Sequence, residues 1–214
     1  MTWYDLTHLI TSAMPVYPGT EPPELLEATT LEREGFRETR LRLFSHTGTH
    51  MDAPSHMIAG APSLDSMAIG AFAGAAVKVD LSSFPPGRAV PRSFLEEALE
   101  GAFTPDFVLL HTGWDRFWGT EEYFSPFPTL TPDGAAYLAT RALKGVGVDA
   151  ISVDPMESVA FPVHRALLSR RLVIVENLRG LGELPPQGFT FLALPLHYAD
   201  ADGAPVRAAA LLSA

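Results

Sequence analysis

Along this chain apolar residues come in short bursts, some alternating with polar ones and some continuous, separated by breaks rich in glycine and proline. Trp3 to Ile10 mixes β-branched and aromatic types and reads as a strand, which Met14-Pro15-Val16-Tyr17-Pro18-Gly19 stops in a rigid turn. The acidic stretch 25–34 is a strand or one arm of a hairpin. From Arg37 to Ser45, Leu41, Leu43 and Ser45 alternate with Arg40, Arg42 and Phe44, the period of a half-buried strand. Residues 58–62 are turn-rich, and Leu64 to Phe72 has weak helical spacing. Strands are predicted at Ala75–Leu81 and Phe107–His111, with a helix from Pro91 to Glu100 between them and Gly101 past its end.

Residues 117–130 hold Phe117, Trp118, Tyr123, Phe124 and Phe127 among prolines, an irregular aromatic loop that either walls a flat substrate or caps the core. Thr131 and Pro132 open a helix with Leu138 and Ala142 on one face and Gly145 after its end. A strand is expected at Asp149–Asp154 and a helix from Pro162 to about Arg171, with His164 in its first turn. The continuous apolar run Leu172–Val175 marks a strand buried on both faces. The tail from Phe189 reads as one or two strands with an Asp202-Gly203 turn. Strands and helices in this order suggest α/β layering, and with no repeat, linker or low-complexity tract a single domain over 1–214 is expected.

Chemistry concentrates where the predicted strand at 37–45 ends. His46, His50 and His56, three of seven histidines, fall within eleven positions, with Asp52 among them. Imidazole and carboxylate are ligands that Zn, Mn and Fe accept, so the stretch is a metal-site candidate. A regular strand would set His46 and His50 roughly 13 Å apart, too far to share one ion. A helix is opposed by Gly48, the threonines and Pro54. A bent segment remains, with Gly48 as hinge, His50 and Asp52 on one face of a short extended piece, and Pro54 holding the exit. A lone histidine is more often a surface or core residue; this clustering argues for ligation. Glu176, directly after a buried run, is either solvated at a sheet edge or paired with a metal.

Composition narrows the function classes. The net charge of −10 speaks against nucleic acid and anionic membrane surfaces as partners. There is no run of 18 apolar residues and no secretory signal pattern, so a cytoplasmic protein is expected. The absence of cysteine removes disulfides, a thiolate nucleophile and a cysteine-type structural zinc site.

His46-x-Gly48-Thr49-His50-x-Asp52-x-Pro54-x-His56 resembles the H-x-G-T-H-x-D-x-P-x-H signature of the metal-dependent cyclase-like hydrolases, which include the bacterial kynurenine formamidases. Asp5-Leu6-Thr7, Met14-Pro15-x-Tyr17-Pro18-Gly19, Leu110-His111-Thr112-Gly113-Trp114-Asp115 and Asp202-Gly203-x-Pro205-Val206-Arg207 are also similar to family segments, although the family more often has another residue at His111. The resemblance implies an α/β fold whose mixed, partly barrel-like sheet is flanked by helices, of the swivelling β/β/α type. It implies His46, His50, Asp52, His164 and Glu176 as metal ligands, with Asp52 bridging if two ions bind, and His56 as the acid/base group. Zinc is the first choice of metal and manganese the second, with one or two ions per subunit. The implied reaction is hydrolysis of N-formylkynurenine to kynurenine and formate, or opening of a cyclic amide such as isatin. The partners would be a small aromatic amide and a second copy of the chain, in a homodimer or higher homo-oligomer. The rival of another class is a non-catalytic metal-binding module, which would be expected to be closed and rich in cysteine.

Overall fold

The computed structural model describes residues 1–101 and 104–212. Its strands are β1 (Thr2–Asp5), β2 (Glu24–Thr29), β3 (Glu38–Arg42), β4 (His50–Asp52), β5 (Ala73–Asp80), β6 (Ala89–Val90), β7 (Phe107–His111), β8 (Thr129–Leu130), β9 (Gly145–Val148), β10 (Val173–Glu176), β11 (Gln187–Pro195) and β12 (Gly203–Leu212). The helices are α1 (Leu31–Glu34), α2 (Arg92–Ala98), α3 (Pro132–Thr140) and α4 (Pro162–Leu168).

The strands β12, β11, β5, β7, β9, β10 and β4 hydrogen-bond in that order, and β4 pairs back to β12, closing a ring. The pairs from β5 to β10 are parallel. The remaining pairs of the ring are antiparallel, so the sheet is mixed and barrel-like as expected. β12 is long enough to pair with β4 at Gly203–Pro205 and with β1 at Ala209–Leu212. Each parallel step needs a crossover, and α2, α3 and α4 supply them in turn.

Alternating side chains serve two cores. Val77, Val79, Val108, Leu110, Val146 and Val148 face outward and pack with Leu95, Leu138 and Leu167 of the helices. Phe107, Leu109, Val173 and Val175 face the ring's interior with Phe189 and Phe191, opposite the small Ala204, Ala208 and Ala210. That interior is full at β9. A Cβ on Gly147 would lie 2.7 Å from side-chain carbons of Leu109 and of Leu178.

Several sequence expectations need correction. The strand expected at 149–154 lies earlier, at β9, where alternating glycines made for close packing weaken the strand signal. Residues 149–154 are irregular because Asp149 folds back to accept hydrogen bonds from the Thr112 and Gly113 backbone N–H groups and the Thr112 hydroxyl. The spacing over 64–72 belongs to two 3₁₀ turns rather than an α-helix. β2 and β3 form a ribbon outside the ring, and every β3 residue is exposed, so 37–45 does hold a strand but not a half-buried one.

Candidate metal centre

The chain bends where the spacing required it. Gly48 takes φ +64°, a left-handed conformation that side-chain-bearing residues rarely adopt. After Thr49 the chain enters β4, whose alternation sends His50 and Asp52 to one face and Met51 into the core. Pro54 then starts a 3₁₀ turn whose last residue is His56, turning that ring back toward His46 with centroids 4.0 Å apart.

Ring closure brings in the second half of the chain. β10 runs antiparallel to β4 with Glu176 directly opposite His50 and Ile174 opposite Asp52. His164 enters from the first turn of α4, whose N-terminus is held by Asp154: its carboxylate accepts from the backbone N–H groups of Val163 and His164. The same carboxylate accepts a hydrogen bond from His164 Nδ1–H at 2.7 Å. All six residues singled out in the sequence, His46, His50, Asp52, His56, His164 and Glu176, line one cavity of about 360 Å³. His8, His111 and Asp5 lie elsewhere: His8 stacks on Trp118, His111 bonds Asp80, and Asp5 pairs with Arg207.

The hydrogen bonds fix which nitrogens face the centre. His50 Nδ1 lies 2.8 Å from the Gly48 carbonyl, which only accepts, so Nδ1 carries the proton. Its Nε2 then points at Asp52 Oδ1, 3.3 Å away, and Glu176 Oε2, 3.5 Å away. By the same logic His164 Nε2 is left facing Glu176 Oε1 at 3.2 Å and Asp52 Oδ2 at 3.5 Å. A lone pair on either Nε2 would repel these two carboxylates unless a proton or a cation stands between them. Asp52 Oδ2 is a buried oxygen with no hydrogen-bond partner among the described residues, as an oxygen reserved for a cation would be. His46–His50–Asp52 and Asp52–His164–Glu176 each place their ligand atoms close enough to hold an ion, with Asp52 common to both. The donor set thus fits a divalent metal.

Electrostatics favour a proton on His164 in the metal-free site, which a bound cation would replace. Burial opposes charge on His46, but the Asp52 carboxylate and then Asp202 hold its pKa up to about 9. His164 is likewise resisted by burial yet held well above its usual value by Asp154, Asp52 and Glu176. Asp52 is driven up by burial and down, more strongly, by His46, His164 and His50, ending well below the usual carboxylate range. His56 differs: burial pushes it below its usual value, with His46 and His164 adding to the shift against Asp52 and Glu176.

Two functional side chains escaped sequence reading. Asp202, read as a turn residue, has Oδ2 3.1 Å from His46 Nε2 and 3.7 Å from His56 Nδ1. Asp154, placed in a strand, instead orients His164. The family-like Asp202-Gly203-x-Pro205-Val206-Arg207 segment was the available signal for Asp202; a carboxylate ahead of a proline-started helix was the one for Asp154.

The chain matches the family model described as Putative cyclase over residues 4–155. It is 33% identical to the kynurenine formamidase of Salinibacter ruber (strain DSM 13855 / M31) over 213 residues, 97% of this chain and 96% of that protein. Among solved structures it is similar to isatin hydrolase A from Ralstonia solanacearum, with TM-score 0.90 and 25% identity, covering 99% of this chain and 92% of that one. The solved structure of a potential metal-dependent hydrolase with cyclase activity superposes with TM-score 0.80 and 29% identity, over 98% of this chain and 96% of the other.

Proposed function

Because this chain belongs to the cyclase family matched over residues 4–155, we propose that its cavity is the active site of a metal-dependent amide hydrolase, an arylformamidase that converts N-formylkynurenine to kynurenine and formate. The observation that carries the reading is the convergence of two imidazole Nε2 atoms and two carboxylates on one buried point. In this reading His46, His50, Asp52, His164 and Glu176 would hold zinc or manganese, with Asp52 common to both candidate ligand groups. A divalent ion held there supplies Lewis acidity and lowers the pKa of a coordinated water toward 7.

The chain's own groups do the rest. His56 sits beside His46 with its Nδ1 on the Asp202 side, leaving Nε2 as the nitrogen that takes a proton from water. Its lowered pKa keeps it neutral near pH 7 and able to accept. The same nitrogen returns the proton to the departing arylamine, so no covalent enzyme intermediate is needed. Phe44, Phe161, Ile151 and Met57 line the cavity and offer apolar contact to the aryl ring. Apolar residues on the ribbon, Leu25, Leu26 and Leu41, are solvent-exposed and support a homodimer or higher homo-oligomer as part of this reading.

Opening of a cyclic amide is the second reading, favoured by the likeness to isatin hydrolase A. The deciding experiment is turnover by protein reconstituted with zinc or manganese, on N-formylkynurenine and on isatin. Formate release without isatin opening is expected. Isatin opening alone moves the assignment to cyclic amides, and no reaction with either substrate overturns amide hydrolysis of this class.

A further inference from the structure

The aromatic loop and the residue after Glu176 meet behind the centre in a way that the hydrolytic reading does not use. Asn177 adopts φ 55°, left-handed for a residue that is not glycine, and is buried. Its side chain sits between Gly48 and Tyr123, and the partners leave one orientation. The Gly48 carbonyl can only accept, so Asn177 Nδ2 donates to it at 2.8 Å. Asn177 Oδ1 therefore faces Tyr123, whose hydroxyl donates at 2.7 Å. The carbonyl at the end of this chain is the one that accepts the hydrogen bond from His50 Nδ1–H.

Tyr123 is itself immobilised. It is fully buried, its carbonyl accepts from Trp114 Nε1 at 3.1 Å, and its ring packs edge-on against Trp118. The backbone carbonyl of Asn177 takes a second bond, from the Thr49 hydroxyl at 2.6 Å. The bend of the chelating loop is thus pinned at Gly48 by the Asn177 side chain and at Thr49 by its backbone.

We infer that Tyr123 and Asn177 are positioning residues for the metal centre: their hydrogen-bond relay fixes the Gly48 carbonyl, and through it the tautomer and aim of His50. The physical basis is general. A ligating histidine is oriented by the acceptor on its other nitrogen, and loosening that acceptor weakens metal binding. Asn at position 177 is explained by the same requirement, since the site needs both a left-handed backbone and a side-chain amide, which glycine lacks.

The inference rests on the reading that the cavity holds a divalent ion, and zinc affinity tests it without reference to turnover. Metal-stripped wild type, Tyr123→Phe, Asn177→Gly and Phe124→Leu are each titrated with zinc alone against a competing chelator. Each is also loaded with cobalt(II), whose visible spectrum reports ligand geometry. Tyr123→Phe keeps the packed ring and Asn177→Gly tolerates the backbone angle, so both retain the fold. Both are expected to weaken zinc binding about 10–100-fold and to shift the cobalt bands. Phe124→Leu alters the packing against the Tyr123 ring but removes no hydrogen-bonding group of the relay, and is expected to match wild type in both measurements. Wild-type affinity and spectrum in the two relay variants overturn the inference, as does an equal loss in Phe124→Leu. Failure of wild type itself to bind zinc overturns this inference and the proposed function together, whereas tight wild-type binding with unchanged relay variants overturns the relay alone.

Discussion

His56 stands apart from the other side chains of the motif, because its pKa is pushed down where those of His46 and His164 are held up. A neutral ring beside a cationic centre is suited to proton transfer. His56→Ala is expected to keep its metal content and lose about 10²–10⁴-fold in turnover, the usual share of general acid–base catalysis. Elemental analysis beside the assay checks it. Metal loss would instead make His56 a ligand, within the His46–His56–Asp202 group. His46 makes a second expectation, through pH. Its pKa in the fold is about 9 against an ordinary 6.5, so in metal-stripped protein its contribution to stability is full below about 6.5 and lost as pH rises through about 9. Adding zinc near pH 7 must displace protons from the ligand set, and proton release in weakly buffered solution, with weaker binding at lower pH, is the measurement. At this scale the sequence was most informative. The residue types and the Gly48 hinge were readable, while Asp202 was not, since an Asp-Gly pair looks the same whether it only turns the chain or also faces two histidines.

At the scale of elements, the centre depends on strand register. Glu176 meets His50 because β10 and β4 pair without a slip, and Gly203 lies opposite Asp52 because β12 pairs on β4's other side. Gly203 has no room for a side chain: a Cβ there would lie 2.5 Å from Cε1 and 2.7 Å from Nε2 of the His46 ring. Gly203→Ala is therefore expected to push His46 out of position and weaken zinc binding about tenfold or more, read by chelator competition. Local pattern located most of these elements. It failed at β9, whose glycines answer to the crowding of Leu109 and Leu178, and at 149–154, where Asp149 bonds to Thr112 and Gly113. Both causes are contacts between segments far apart in the chain, which no local window contains.

For the whole molecule, the ring leaves one piece uncovered. Among the described residues the β2–β3 ribbon makes no ladder to the main sheet, and Leu25, Leu26, Leu31, Phe36 and Leu41 on it are exposed. A two-stranded ribbon is marginal alone in water, so a partner surface is expected to cover it. Sedimentation is expected to show a dimer or larger species, and Leu41→Glu to shift it toward monomer; a monomeric wild type would refute this. Closure of the barrel was not visible in the pattern of strands, since the β4–β12 pairing joins residues about 150 positions apart.

By itself the sequence determined the ligand types, their spacing around a glycine hinge, the alternation that sorts side chains to two faces, and the lack of any cysteine chemistry. These are local properties, set by backbone sterics and side-chain chemistry. Only the tertiary structure decided that β10 lies beside β4, that Asp154 and Asp202 serve the histidines, and that Asn177 and Tyr123 stand behind Gly48. Those contacts form because closing the ring buries two apolar faces at once, and the polar groups carried along must then find partners within it.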